Sequence, residues 1–218
     1  MVVAVRGRKQ GTLPLLMLTR SRQFDERYFD RWYRDPRHRV KTSADLRRQA
    51  LLAVSAAEWV LDRPIRSVLD VGAGEGAWAR VLAALRPKAR YRGIEPSAYA
   101  VARHGRRWNI SSGTFGELHA VKTRAPFDLV VCSGVVAYVS NRDFERGLEA
   151  LANLVGGVLH LEIFTRRDDI IGDQRARSAR SGAWYRERLR RAGFVTCGLH
   201  NYVGPRARET LAEMEACP

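Results

Sequence analysis

The sequence predicts a doubly wound α/β fold, with one mostly parallel sheet and helices on both of its faces. Three observations predict it. Val68-Leu69-Asp70-Val71 is a short apolar run of the kind a strand buried on both faces needs, and it passes straight into the turn Gly72-Ala73-Gly74-Glu75-Gly76. The next strand-like run ends on an acid, Glu95. From residue 65 onward, strand-like and helix-like stretches alternate at the spacing of right-handed βαβ units.

In chain order, Phe24, Tyr28, Phe29, Trp32 and Tyr33 are spaced as one helix face within residues 22–39, and Pro36 ends that helix. A second helix is expected from Ser43 as N-cap, with Leu46, Ala50, Ala53, Val54 and Ala57 inward and Pro64 closing it. The first strand is Ile65 to Val71. Ala77, Trp78, Val81, Leu82 and Leu85 then mark a helix stopped by Pro87. Tyr91 to Glu95 is the second strand, Ser97 to Arg107 its crossover helix, and Ile110 to Phe115 a weak third strand. Phe127 to Cys132 is the fourth. Ser140 and Asp143 form a capping box before a helix that ends at Gly156-Gly157. Val158 to Phe164 is the fifth strand, and residues 165–180 are a polar loop. Ser181 caps a last helix, ended by Gly193, and Phe194 to Val203 is the sixth strand. Residues 208–215 read as a helix.

The 218 residues suffice for one sizeable domain, and 45% are apolar. We expect a loose extension over 1–20 and a single domain over 21–218, composed of a helical cap (22–62) and a core (63–205). The extension carries Arg6, Arg8 and Lys9 before Leu13-Pro14-Leu15-Leu16-Met17-Leu18. Its short, proline-broken apolar stretch and the lack of a small-residue cleavage site do not fit a secretion signal, and Met17 is an alternative start. No apolar run approaches the roughly 18 residues that span a bilayer. Cys132, Cys197 and Cys217 are far apart and form neither a disulfide framework nor a zinc site, which suits a reducing cytoplasm. The net charge is +15, with 34 arginines against 4 lysines scattered along the chain. Nucleic-acid binding is compatible with that charge, but a generally basic solvated surface accounts for it better. Oligomeric state cannot be read here.

The glycine turn suits the close approach of a nucleotide-type ligand to backbone at a helix start, with helix N–H groups directed at it. Gly72-Ala73-Gly74-Glu75-Gly76-Ala77 also satisfies the dinucleotide fingerprint, and Glu95 lies where a ribose-binding acid belongs. Asp70, two residues before the first glycine, favours a ligand with an ammonium group and would repel a pyrophosphate.

The wider run Val68 to Gly76 resembles motif I of class I S-adenosylmethionine-dependent methyltransferases. Ile94-Glu95-Pro96-Ser97 is similar to motif II, and Phe127 to Val135 to motif IV. The resemblance spans roughly residues 65–164 and implies S-adenosylmethionine as cofactor. It implies that Asp70, Gly72, Ala73 and Gly74 line the methionine arm and that Glu95 holds the ribose, with Pro96 and Ser97 nearby. Where the family often has an adenine-reading acid this chain has Thr114. Thr114, Glu117 or backbone alone is left to read that edge, with Phe115 on the adenine face or in the core. Cys132, Ser133 and Gly134 would pass beside the sulfonium. The family's seventh, antiparallel strand is either missing or part of a hairpin around Gly198.

On the acceptor side, Glu162 interrupts an apolar strand and is the candidate to orient or deprotonate the acceptor, or else to pair with an arginine of 166–180. Tyr138 and Tyr33 are further candidates, and Tyr28, His38, Arg180, Trp184 and Tyr185 complete the expected pocket. His160 reads as a core histidine. Asp168, Asp169 and Asp173 read as surface pairs, so no metal is expected. The preferred reading is methyl transfer to an oxygen or nitrogen of a small molecule. The alternatives are an RNA or protein methyltransferase, disfavoured by the absence of an Asn/Asp-Pro-Pro-Tyr/Phe run after the fourth strand, and a non-catalytic partner protein. A nicotinamide-dependent oxidoreductase is the weakest option.

Overall fold

The computed structural model describes residues 24–169, 172–173 and 178–213. The expected extension over 1–20, Met17 and Cys217 therefore lie outside the described residues. A seven-stranded sheet in the order β3-β2-β1-β4-β5-β7-β6 forms the centre. Its strands are β1 (Ser67–Val71), β2 (Arg90–Glu95), β3 (Ile110–Ser112), β4 (Phe127–Cys132), β5 (Val155–Leu161), β6 (Val195–Gly198) and β7 (Asn201–Val203). The first five are mutually parallel, and β7 runs antiparallel to both β5 and β6. The strand order reverses between β1 and β4, where doubly wound sheets open a crevice beyond the strand C-termini.

The helices are α1 (Glu26–Phe29), α2 (Ser43–Leu61), α3 (Ala77–Leu85), α4 (Ala98–Trp108), α5 (Asn141–Leu154) and α6 (Gly182–Arg191). On one face α2 and α3 bury Ala50, Val54, Trp78 and Leu82 against Val68, Leu129, Val131 and Val158. On the other, α5 and α6 bury Phe144, Leu148, Leu151 and Leu189 against Leu69, Val130, Leu159 and Leu161. Alternate residues of β1, β4 and β5 thus feed opposite cores, which is why these strands read as apolar runs, interrupted by Asp70, Asp128 and His160, rather than as an apolar–polar alternation.

Several boundaries differ from the sequence expectation, each for a local reason. The front helix is shorter: α1 passes into a π-helical turn at Asp30–Arg34 and ends before Pro36. The N-cap of α2 is Thr42 rather than Ser43, because Thr42 and Asp45 complete a reciprocal capping box. β1 begins at Ser67, not Ile65, and β3 stops at Ser112, since Thr114 and Glu117 cap a 3-10 turn over Phe115–Ala120. Ser140 caps α5 by accepting from the Asp143 amide, but the reciprocal bond is not formed; the Asp143 carboxylate accepts from the Ser140 hydroxyl instead. Gly156 and Gly157 do not end α5 as a turn. They lie inside β5, and a side chain at 157 would press on the Asp128 carbonyl at 2.5 Å. β5 is consequently 155–161 rather than 158–164 and leaves Glu162 just past its end. The expected sixth strand is two strands joined at Leu199 and His200, both left-handed. The seventh strand is therefore present as the far arm of that hairpin. After it, Pro205–Thr210 is a 3-10 helix rather than the start of a helix over 208–215.

Candidate functional site

A cavity of about 430 Å³ opens at the C-terminal ends of β1, β2 and β4. Gly72, Gly74, Glu95 and Pro96 form one wall, Gly113 to Gly116 a second, and Ser133 to Val135 with Tyr138 to Ser140 a third. Phe24, Tyr28, Phe29 and Tyr33 roof it. The roof is an edge-to-face aromatic cluster, with Phe24–Tyr28 and Tyr28–Phe29 ring centroids 4.9 and 5.5 Å apart. It is fastened to the glycine turn by Arg34, which donates to Glu75 at 2.7 Å, and to the β2 end by the Ser97 hydroxyl, which donates to the Phe24 carbonyl.

Glu95 is 4% exposed and organises the glycine turn. Its Oε2 accepts from the Gly74 amide at 2.8 Å and its Oε1 from the Ser97 amide at 2.9 Å. Each oxygen retains a second acceptor site, which suits a vicinal diol placed in the cavity. Burial pushes its pKa up, and the two amides only partly oppose that. The amides of Gly72 and Ala73 both donate to the Ile94 carbonyl. The turn amides of Gly72, Ala73, Gly74 and Gly76 are thus taken up by the Ile94 and Ala73 carbonyls and by Glu95. The turn's left-handed glycines also make room for neighbours: a Cβ on Gly72 would overlap Val135, and one on Gly76 would sit 2.6 Å from the Trp108 ring.

Asp70 does not line the cavity. It is 1% exposed, sits behind the turn, and accepts a 2.6 Å bond from the Tyr91 phenol. Burial has pushed its carboxyl up to about 7; the Tyr91 bond pulls downward and the Glu95 charge pushes further up. Direct contact with a ligand ammonium is thus not the geometry found, because a strand-end side chain on this face points into the α3 side. Ala73, Ser97 and Cys132 are likewise buried and absent from the cavity wall, with Ser97 acting as the N-cap of α4. Thr114 lines the wall, but its hydroxyl donates to Glu117 at 2.8 Å. Asp143, from the first turn of α5, reaches the same wall. Phe115 borders the cavity and also belongs to the core, stacking on Phe144 at 5.8 Å with an interplanar angle of 7°.

At the β4 and β5 ends lies a polar cluster that sequence reasoning half anticipated. Glu162 pairs with Lys41 at 2.7 Å, and no arginine of 166–180 among the described residues pairs with it. Lys41 also donates to Ser133 Oγ at 2.8 Å and to Gln49 at 2.9 Å, and Ser133 Oγ donates to Glu162 at 2.8 Å. Burial works to raise the Glu162 pKa, but the Lys41 charge and the bonds from Lys41 and Ser133 outweigh it and hold the carboxyl below its usual range. Glu162 itself is screened from the cavity, and Ser133 is the member of the cluster that faces it. Lys41 and Gln49 left no periodic mark in the sequence; only the docking of the cap on the sheet brings them here.

Tyr33 and Tyr138 both line the cavity, and the Tyr138 hydroxyl donates to the Asp173 carbonyl at 2.5 Å. His38 points away, bound to Asp35 at 2.7 Å. Arg180, Trp184 and Tyr185 do not join the wall. Buried Arg180 donates to Asn141 and to the Val136 and Val139 carbonyls and lies 4.7 Å from the Trp184 ring centroid, so it braces the turn carrying Tyr138. His160 is buried against Trp78, with one ring nitrogen bonded to Asn201 and burial drawing its pKa down to about 4.

A family model described as a methyltransferase domain matches residues 69–157, the stretch that holds the glycine turn, Glu95 and Ser133. Residues 69–157 thus match a methyltransferase domain, and the sheet around them has the Rossmann-like fold of solved methyltransferases. The domain is similar in fold to magnesium protoporphyrin IX methyltransferase from Synechocystis, solved with bound S-adenosylhomocysteine: 18% identity over 83% of this chain and 96% of that one, TM-score 0.55. An amino pentose methyltransferase from Micromonospora echinaspora, involved in calicheamicin biosynthesis, gives 17% identity over 85% and 98%, TM-score 0.56. An S-adenosylmethionine-dependent methyltransferase from Clostridium acetobutylicum gives 11% identity over 80% and 94%, TM-score 0.59. Among curated proteins none matches the sequence. Among the described residues no helix of the methyltransferase domain is long and apolar enough to cross a membrane.

Proposed function

We propose that this chain transfers the methyl group of S-adenosylmethionine to an oxygen or nitrogen of a small molecule. One observation carries the reading: Glu95 and Ser133 face a single cavity under an aromatic roof, one at the nucleoside end and one at the acceptor end. The cavity volume falls within the range of about 300–1,000 Å³ usual for small-ligand sites. The cofactor supplies a methyl carbon already activated by a sulfonium. Glu95 would accept the ribose hydroxyls, Gly72 and Gly74 would let the methionine arm approach backbone, and Phe115 would pack on the adenine. Asp143 is a better candidate than Thr114 for the adenine amino group, since Thr114 is spent on Glu117. Asp70 would act on the ammonium from behind the turn rather than by touch.

In-line methyl transfer asks the protein to align the acceptor and exclude water. The aromatic roof with Tyr33 and Tyr138 suits a planar or apolar acceptor. Glu162, held ionised by Lys41, is a weak base; it orients the Ser133 hydroxyl, leaving that oxygen an acceptor for an N–H or O–H of the substrate. The similarity to natural-product and porphyrin methyltransferases agrees with a small acceptor. Calorimetry with S-adenosylhomocysteine and NAD tests the reading. Micromolar binding of S-adenosylhomocysteine, lost in Glu95→Ala, is expected, and binding of NAD alone would overturn it.

A further inference from the structure

The rim of the sheet opposite the cavity carries uncompensated positive charge. Between Gly76 and Pro126 the only acids are Glu95 and Glu117. Glu95 is buried on backbone amides, and Glu117 is spent on Thr114. The same stretch holds Lys88, Arg90, Arg103, Arg106, Lys122 and Arg124, all exposed and none with a carboxylate partner among the described residues.

Topology gathers these side chains at one end. Lys88 and Arg90 stand at the entry to β2, where the Arg90 amide bonds the Arg66 carbonyl at 2.9 Å. Arg92 donates to the Lys122 carbonyl at 2.9 Å and so brings the 122–124 loop alongside. α4 returns antiparallel to the strands, which sets Arg103 and Arg106, one turn apart on its outer face, near the same rim. Asn109, just past α4, bonds the Tyr91 carbonyl at 2.8 Å and closes that corner. Several arginines elsewhere are matched, Arg188 with Glu145, Arg190 and Arg191 with Glu187, and Arg34 with Asp30 and Glu75, whereas others without a carboxylate partner among the described residues, such as Arg167, Arg186 and Arg208, are spread over separate elements.

We propose that this rim is a docking surface for the phosphate backbone of a nucleic acid, read without regard to sequence. Guanidinium groups fit phosphate oxygens in bidentate fashion. No large apolar side chain in the stretch is exposed, so the rim lacks the wedge that stable seating on a bilayer requires. The rim lies at the N-terminal ends of the strands and the cavity at their C-terminal ends, so docking leaves the cavity open. The inference stands independently of the acceptor assigned above.

The test is fluorescence anisotropy of a labelled single-stranded RNA titrated with the full chain at several salt concentrations. Three proteins are compared: wild type, the rim variant Arg90→Glu/Arg106→Glu/Lys122→Glu, and the control Arg167→Glu/Arg186→Glu/Arg208→Glu, which changes net charge equally. Wild type should bind with an affinity that falls with salt at a log–log slope of about −4, as six phosphate contacts require. The rim variant should bind at least about tenfold more weakly with a flatter slope, while the control stays within about threefold. Absence of wild-type binding at low salt, equal weakening in both variants, or binding to anionic phosphatidylglycerol vesicles but not to RNA would each overturn the proposal. Circular dichroism verifies folding, and the corresponding glutamine triple replaces any glutamate triple that does not fold.

Discussion

Replacing Asp70 by Asn should change how folding stability depends on pH, by an amount the structure sets. In the native protein burial has pushed the Asp70 carboxyl up to about 7. In the unfolded chain it titrates near 3.9, as an exposed aspartate does. Between those two values the native state keeps a proton that the unfolded chain has released, so stability falls as pH rises through the window. At about 1.4 kcal/mol per pH unit the full loss is about 4 kcal/mol, complete once the pH passes the native pKa. Two other buried groups titrate nearby. Glu95 is raised for the same reason and acts in the same direction, whereas His160, lowered to about 4 by burial, adds stability as pH rises towards the ordinary histidine value. Both remain in Asp70→Asn, so the difference between the two proteins isolates Asp70. Urea denaturation followed by tryptophan fluorescence from about pH 4 to 8 measures that difference, with midpoint times slope giving the free energy. The variant should gain on wild type by about 4 kcal/mol across the range, on top of any constant offset from the altered Tyr91 bond. Parallel curves would show that Asp70 titrates normally, and the burial argument would fail.

Lys41→Met should destabilise by about 3–5 kcal/mol at neutral pH, because it strands the Glu162 carboxylate in a buried site. Adding Glu162→Gln to that variant should recover part of the loss in the same denaturation assay. Gly147→Ala would drive a methyl group into the ring and carbonyl of Phe115. Overpacking of that kind costs about 1–3 kcal/mol and outweighs the helix propensity gained. Because Phe115 borders the cavity, the same variant should bind S-adenosylhomocysteine more weakly by calorimetry. Arg180→Met should remove a charged donor from the Val136 and Val139 carbonyls, at about 1.5–3 kcal/mol each, leaving them only the longer bonds from the Val139 amide and the Ser178 hydroxyl. Hydrogen exchange should then accelerate at residues 136–141, while β1 to β3 remain protected.

Much of the core was legible because its determinants are local. An apolar run between turn residues specifies a buried strand, and β4 begins and ends where the run Phe127 to Cys132 does. Ser181 was recognisable as an N-cap because a capping bond spans only three residues. The glycine turn and Glu95 were recognisable as a ligand wall because the turn must lie at the end of its strand. Gly156-Gly157 misled for the opposite reason. Two glycines after a helical pattern look like a C-terminal stop, yet here they allow β5 to approach Asp128 and Leu61 closely.

What the chain determined by itself was therefore a succession of strands, turns and caps, together with the identity of the acid, Glu95, that lines the cavity beside the glycine turn. Those features depend on neighbours a few residues apart, where spacing alone decides which groups meet. Tertiary structure decided the rest. It placed Asp70 behind the turn, paired Glu162 with Lys41, set Arg180 to brace a loop, and brought Asp143 to the cavity wall. Each of these depends on segments far apart in sequence, and no periodicity encodes which side chain of a docked cap will arrive opposite a given strand end.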